Sequence, residues 1–346
     1  MVNSNTSLTD FTKFDSPNSL EFWFDSTKEA QDFKSQLTSS QYNHDVASNI
    51  IKSIIDTSPK FVKHKTRYRK GVYWPLEDID QMLTTDQRTL SSKSLTDLIS
   101  WQHHDYIITN NGNPILAIET TDHVITWNNV AQRLPRMISA AKLGIPSVIF
   151  QKIGDRSLDN YKGWYLQTLV NATKIYKTPS VAILFDDSNR LEAEEKLSSI
   201  MENLMNSVTK KDKQSHKKFE SLMNDLVLEN KTQAKQWYDF EKIKNRKWIA
   251  MNKTEVKVIV GVKPTANMWK TKGTGGLDPY PGLVVMSDFL LCRSGSDGKK
   301  RNRKLTVKFK LIKEDFWWFK KYPTELYLQM LIDPQYRIAD NVEYLT

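Results

Sequence analysis

Asp105 and Glu119 stand at the two ends of an apolar pair of runs in DYIITNNGNPILAIETTDH, residues 105 to 123, the first acid opening one run and the second closing the other. Between the runs lies Asn110-Asn111-Gly112-Asn113, a cluster suited to turning a chain back on itself. A hairpin folded there sets the start of its first strand beside the end of its second, so the carboxylates can converge although 14 residues separate them. Two acids meeting at the rim of an apolar sheet repel each other and are poorly hydrated. A divalent cation relieves both problems, because hard oxygen ligands suit Mg²⁺ and its charge offsets theirs. With a phosphodiester alongside, the same ion can activate water and stabilise the leaving oxygen. On residue type alone a plainer alternative stands beside this one: two strand-end acids facing solvent.

The elements that must position the pair are legible in the apolar pattern. Within residues 91 to 190, SLTDLISW reads as a short helix, and DYIIT and PILAIET read as strands around the turn cluster. TWNNVAQRLPRMISAAKLG follows as a helix ended by Gly144. IPSVIF is a buried strand, NYKGWYLQTLVNATKIY a helix, and SVAILF a buried strand stopped by Asp186 and Asp187. The order αββαβαβ predicts an α/β (α+β) fold with a central mixed sheet and helices on its faces. Residues 1 to 90 carry helical spacing from SLEFWFDSTKEAQDFKSQL through NHDVASNIIKSIIDTS and end in the basic, aromatic FVKHKTRYRKGVYW. Residues 191 to 346 begin with charged amphipathic helices as far as 247 and continue with strand-like VKVIVGVK, GLVVMSDFLL and KLTVKFKLI. The predicted organisation is thus a helical region over 1–90, a core over 91–190 and a basic α+β region over 191–346.

At 346 residues, 39% hydrophobic and 11% aromatic, the chain has enough apolar material for more than one core. The single Cys292 excludes an intrachain disulfide framework and multi-cysteine zinc sites, which suits a reducing, cytoplasmic compartment. The start MVNSNTSLTDF has no signal-peptide pattern, and no apolar run is long enough to span a membrane. The net charge of +10 is located rather than diffuse: residues 191 to 346 carry 29 Lys+Arg against 20 Asp+Glu, whereas residues 1 to 90 carry 11 against 12. Clustered positive charge is the footprint of a polyanion binder, since each cation near a phosphate releases counterions. It is equally the look of a solubilising surface.

The run from Asp97 to Asp187 resembles the PD-(D/E)XK nuclease superfamily, and within it a restriction endonuclease. That resemblance implies an αβββαβ core in which an acid opens the second strand and a Glu/Asp-x-Lys closes the third. HDYIIT supplies Asp105, and AIETT supplies Glu119-Thr120-Thr121. The helix carrying QRLPR matches the family's habit of placing Gln or basic residues toward the metal or scissile phosphate, here Gln132, Arg133 and Arg136. The resemblance then implies a Mg²⁺-dependent endonuclease of double-stranded DNA. Asp105 and Glu119 would ligand the metal, the Thr120 carbonyl would complete its shell, Gln132 would orient water or phosphate, and Asp97 is a further possible ligand. Cutting both strands implies a homodimer. Two positions depart from the pattern: His104 replaces the proline before the first acid, and Thr121 replaces the lysine. Lys142 and Lys152 are candidates for the displaced lysine. Thr121 also supports a different class, a non-catalytic nucleic-acid-binding protein keeping the nuclease fold; a repair or RNA nuclease is a third.

Other constellations carry less chemistry. His103, His104 and His123 invite a metal reading, but adjacent histidines in a strand point to opposite faces, which favours structural or phosphate-facing roles. KTKGTGGLDPYPGL fits no phosphate-loop or dinucleotide pattern and reads as a loop; lying beside the basic region and carrying Asp278, it has a substrate-contacting loop as its second reading. SGSDGKKRNRK offers Lys299, Lys300, Arg301, Arg303 and Lys304 to a DNA backbone or, alternatively, to solvent. DFWWFKKYP interleaves aromatics that can stack on bases with lysines, though paired tryptophans are more often core anchors.

Overall fold

The computed structural model describes residues 20–24, 62–68, 72–75, 94, 95, 98, 104–121, 127–153, 159–261, 279–293, 302–310 and 339–345. The chain forms two compact units. The first draws on Met1–Val124, Ser139–Gly154 and Lys177–Glu229, the second on Ile125–Ile138, Asp155–Tyr176 and Asn230–Thr346. No helix among the described residues is long and apolar enough to cross a membrane.

The first unit is built on a seven-stranded mixed sheet. Its strands are β1 (Leu20–Phe24), β2 (Val62–Tyr68), β3 (Val72–Pro75), β4 (Tyr106–Asn110), β5 (Asn113–Thr121), β6 (Ser147–Lys152) and β7 (Ser180–Phe185), in the order β3-β2-β1-β4-β5-β6-β7. β1 runs antiparallel to β4, β4 antiparallel to β5, and β5, β6 and β7 run parallel. The predicted helix over SLEFWF is corrected here: Leu20–Phe24 is a strand. A five-residue apolar and aromatic run satisfies both periodicities, and the pairing of β1 with both β2 and β4 decides for strand.

β4 and β5 close through Asn111 (φ 48) and Gly112 (φ 78), the two left-handed positions of a two-residue type I′ turn. The ladder slips between Ile108, opposite Leu116, and Thr109, opposite Pro114, so Ile115 bulges beside the proline that cannot donate. Helix α1 (Trp127–Lys142) ends in a Schellman motif: Gly144 (φ 77) donates to the Ala141 carbonyl at 3.1 Å and Ile145 to that of Ala140 at 2.9 Å. This stop returns the chain into β6.

The two faces of the sheet are unlike. Tyr106, Ile108, Leu116, Ile118, Val148, Phe150, Val181, Ile183 and Phe185 form one large core with α3 (Arg190–Thr209) and the first half of α4 (Lys213–Trp237), through Leu197, Leu204, Phe219 and Met223. Among the described residues the opposite face holds a smaller cluster, Leu95, Leu98, Ile107, Ala117, Ala140 and Ile145. Strand alternation assigns Asp105 and Glu119 to this thinner face, because they continue the series of Ile107 and Ala117.

In the second unit, α2 (Asp159–Tyr176) approaches the end of α4 so closely that a Cβ on Gly163 would lie 2.3 Å from the carbonyl carbon and oxygen of Trp237. Trp164 is buried, donates to the Asp239 carbonyl at 3.2 Å beside the short α5 (Phe240–Lys244), and lies under the Arg246 guanidinium. A second sheet has the order β11-β10-β9-β8, from β8 (Ile249–Met251), β9 (Glu255–Gly261), β10 (Lys304–Lys310) and β11 (Asn341–Leu345). Val256, Val258, Leu305 and Val307 are buried on one face, while Glu255, Lys257, Thr306 and Lys308 lie on the other.

The predicted strand over GLVVMSDFLL is a helix instead: α6 (Pro279–Ser287) runs into a π-helical turn, Asp288–Cys292. A continuous apolar run is buried on every side in either form, so period cannot distinguish them. The segment is buried from Leu283 to Cys292 and packs against β9 and α2.

Candidate functional site

The hairpin brings Asp105 and Glu119 together. With Tyr106 opposite Ile118, the next positions outward along the antiparallel ladder are Asp105 and Glu119. Each acid is held by the other's strand. The Asp105 N–H donates to Glu119 Oε1 at 3.2 Å, and the Thr120 N–H donates to Asp105 Oδ2 at 2.8 Å, with the Thr120 hydroxyl at 3.3 Å from the same oxygen. These bonds continue the ladder through side chains where the strands end. They also fix both carboxylates at one corner of the sheet, Glu119 fully buried and Asp105 half-buried.

The turn and the bulge explain why these two residues meet. The type I′ turn sets the register near the tip, the bulge at Ile115 shifts it by one residue beyond Ile108, and the two together place the acids opposite each other. The apolar run before Glu119 anchors β5 in the middle of the sheet, between β4 and β6. A buried carboxylate beside a second acid is costly without a compensating cation. The donor set suits Mg²⁺, which takes one or two carboxylates and keeps much of its water. Among the described residues no group of three or more His, Cys, Asp and Glu side chains could hold a metal, so the candidate centre rests on this pair.

The same face extends the site along the parallel strands. Thr121 lies opposite Gln151 and Glu119 opposite Ile149, so Glu119, Thr121 and Gln151 project from one side of the sheet. Thr121 is buried where the resemblance expects a lysine. Gln151, fully buried, keeps Nε2 and Oε1 without a hydrogen-bond partner. The sequence reading missed it; the signal was an amide closing the apolar run SVIFQ, at the position that parallel pairing sets beside Thr121.

The remaining predicted residues fall as follows. Gln132, Arg133 and Arg136 are on α1, where the two arginines, three apart, share one side and are half-buried. Lys142 closes α1, and Lys152 closes β6 with its ammonium 2.5 Å from Asp187. Arg303 is turned inward: its guanidinium donates to the carbonyl oxygens of Leu291 at 2.8 Å and Asn252 at 3.2 Å. Lys304 is exposed at the start of β10. His104 is buried immediately before Asp105. Asp97, His103, His123, Asp278, Lys299, Lys300, Arg301 and the DFWWFKKYP segment lie outside the described residues.

Comparison with family models, with curated proteins and with solved structures finds no significant match. What the site can do therefore rests on its own residues: two converging carboxylates, a threonine that clamps one of them, and a buried amide along the same sheet face.

Proposed function

We propose that the chain is a Mg²⁺-dependent endonuclease of double-stranded DNA, of the restriction type within the PD-(D/E)XK superfamily. The observation that carries this reading is the reciprocal bonding of Asp105 and Glu119 across the ends of β4 and β5. The succession of β1, β4 and β5 as neighbours in one sheet supports it, because Asp105 then opens the second of three core strands and Glu119 stands near the end of the third, where the resemblance expects the acids.

Mg²⁺ bound at the pair would polarise the phosphodiester and lower the pKa of a nearby water. The protein's own share is positional. Thr120 holds the Asp105 carboxylate through two donors, and the Asp105 backbone holds that of Glu119, so neither acid has to reorganise when substrate arrives. The apolar hairpin beneath them fixes their height on the sheet. Basic residues of the C-terminal region, Lys304 among them, would neutralise the DNA backbone, and a second copy of the chain would cut the second strand.

Incubating the purified protein with mixed plasmid DNA and Mg²⁺, then sequencing the ends, tests the reading. Discrete ends at one sequence support it; intact plasmid across Mg²⁺ and Mn²⁺ concentrations refutes it. A second reading, a DNA-binding protein that keeps the fold without the chemistry, is favoured by Thr121 in the lysine position and by the commitment of Lys152 to Asp187. Under that reading, gel-shift binding persists and no ends appear.

A further inference from the structure

Gln151 is an expensive residue where it stands. A buried primary amide carries two donors and an acceptor of two lone pairs, and leaving them unmade costs far more than an apolar side chain of the same shape. Both polar atoms of Gln151 are buried without a partner, while its neighbours along β6, Val148, Ile149 and Phe150, are apolar and buried. Packing does not require an amide there. Register says what it lies beside: Thr121 directly across the parallel ladder, and Glu119 one diagonal step away on the same face. A glutamine side chain spans that diagonal.

We infer that Gln151 is a third member of the candidate cation site, a positioning residue that holds the hydration water of the ion held by Asp105 and Glu119. The inference rests on the function proposed above. Mg²⁺ bound through two carboxylates retains several waters, whose outward protons need acceptors. Gln151 Oε1 is a neutral acceptor that adds no charge beside two acids, and Nε2 can donate to an anionic oxygen of substrate. The position one residue on is Lys152, whose ammonium is engaged by Asp187. The amide thus occupies the corner from which the family's lysine has gone.

The test compares Gln151→Met, which keeps length and removes polarity, with Glu119→Gln and with Asn110→Leu. Asn110 is another buried amide without a partner, at the turn end of β4 and away from the acids, and it serves as the control. Mn²⁺ affinity of the full chain, measured by calorimetry or water proton relaxation, should fall about 10- to 100-fold for Gln151→Met, as for other groups that orient a metal's ligands. It should be unchanged for Asn110→Leu. Without divalent ions, Gln151→Met should melt at the parental temperature or about 2–4 °C higher, because an unmade polar burden is removed. Gln151→Asn, which keeps the amide and shortens its reach, should show an intermediate Mn²⁺ affinity. It also keeps the question open to measurement should the methionine variant fail to fold.

Parental Mn²⁺ affinity in Gln151→Met or Gln151→Asn, with loss in Glu119→Gln, overturns the role of Gln151 and leaves the proposed function standing. Parental affinity in all variants, or no Mn²⁺ binding by the unaltered chain, overturns both.

Discussion

Replacing Glu119 by Gln separates chemistry from folding at this corner of the sheet. Glu119 is fully buried, and its Oε1 accepts the Asp105 N–H at 3.2 Å. A glutamine carbonyl accepts the same bond, so the substitution removes the charge and keeps the shape and this acceptor. A hydrogen bond to a charged acceptor contributes about 1.5–3 kcal/mol and a neutral one about 1 kcal/mol, a loss of about 1 kcal/mol at most. Against it stands the desolvation of a buried carboxylate facing a second acid, which disappears. The two nearly cancel, and the melting temperature without metal should stay within about 4 °C of the parent. Glu119→Ala differs, because it strands the Asp105 N–H and opens a cavity, costing about 2–4 kcal/mol. Folding should therefore survive replacement by Gln and suffer from replacement by Ala, because Glu119 is inside. Cleavage of plasmid in Mg²⁺ should be lost in Glu119→Gln and in Asp105→Asn. Metal-free DNA binding by gel shift should be kept or tightened by up to about fivefold, since removing one like charge near a phosphate relieves about 1 kcal/mol. Cleavage at the parental rate by a folded Glu119→Gln protein refutes the metal-site reasoning.

Three further outcomes follow from other parts of the molecule. Arg293 bonds the fully buried Asp288 through Nε at 3.0 Å and Nη2 at 2.9 Å, so Arg293→Ala takes both of these donors from a buried carboxylate and should cost about 3–5 kcal/mol by urea unfolding; a change below about 1 kcal/mol contradicts the buried pair, and Asp288→Leu combined with Arg293→Leu should recover much of the loss. Lys152→Ala breaks an ion pair whose partner is exposed and should shift stability by less than about 1 kcal/mol, so a large fall in plasmid cleavage with unchanged melting marks Lys152 as the displaced lysine, and parental cleavage removes it from that role. Burial, with a smaller contribution from Asp239, pushes the Tyr238 phenol up to about 12 from 10.0. The folded state therefore binds the proton more tightly than the unfolded state, stability from this group is intact below pH 10, and it should be lost as pH rises from there to about 12; a Tyr238→Phe variant with an unchanged alkaline unfolding curve contradicts this.

The sequence revealed most where local chemistry and tertiary context agree. Asn111-Gly112 dictates a tight hairpin because both backbones must be left-handed, Gly144 stops α1 for the same reason, and the parallel strands carry the unbroken apolar runs VIF and VAILF because both of their faces are covered. The convergence of Asp105 and Glu119 is only half legible there: the turn folds the strands together, but the extra residue at Ile115 shifts the ladder by one and sets Asp105 opposite Glu119. Legibility failed where an apolar run had no polar face to give it a period. LEFWF and GLVVMSDFLL are each too nearly continuous in apolar residues for helix and strand to differ in pattern, and the decision passes to partners remote in sequence: β2 and β4 for the first, α2 and β9 for the second. Gln151 escaped notice for a related reason. Its meaning is not in its own segment but in the residue across the ladder, 30 positions earlier, and pairing of parallel strands leaves no local mark at that distance.

Arg303 carries the same lesson into the basic region. Its place in SGSDGKKRNRK groups it with residues suited to phosphate, yet its guanidinium is held by the carbonyls of Leu291 and Asn252, where it ties the end of the π-helical turn to the β8–β9 hairpin. A guanidinium with fixed forked donors can serve two carbonyls in one geometry, which an ammonium cannot. Net charge along a segment therefore overstates the cations available to a polyanion. Lys304, exposed on the adjacent position, is available in a way that Arg303 is not. The two are consequently separable by one measurement: Lys304→Ala should flatten the log-log salt dependence of DNA binding by roughly one unit, whereas Arg303→Ala should lower the melting temperature and leave that slope as it was. Equal slopes for the parent and Lys304→Ala would return this end of β10 to the solvent.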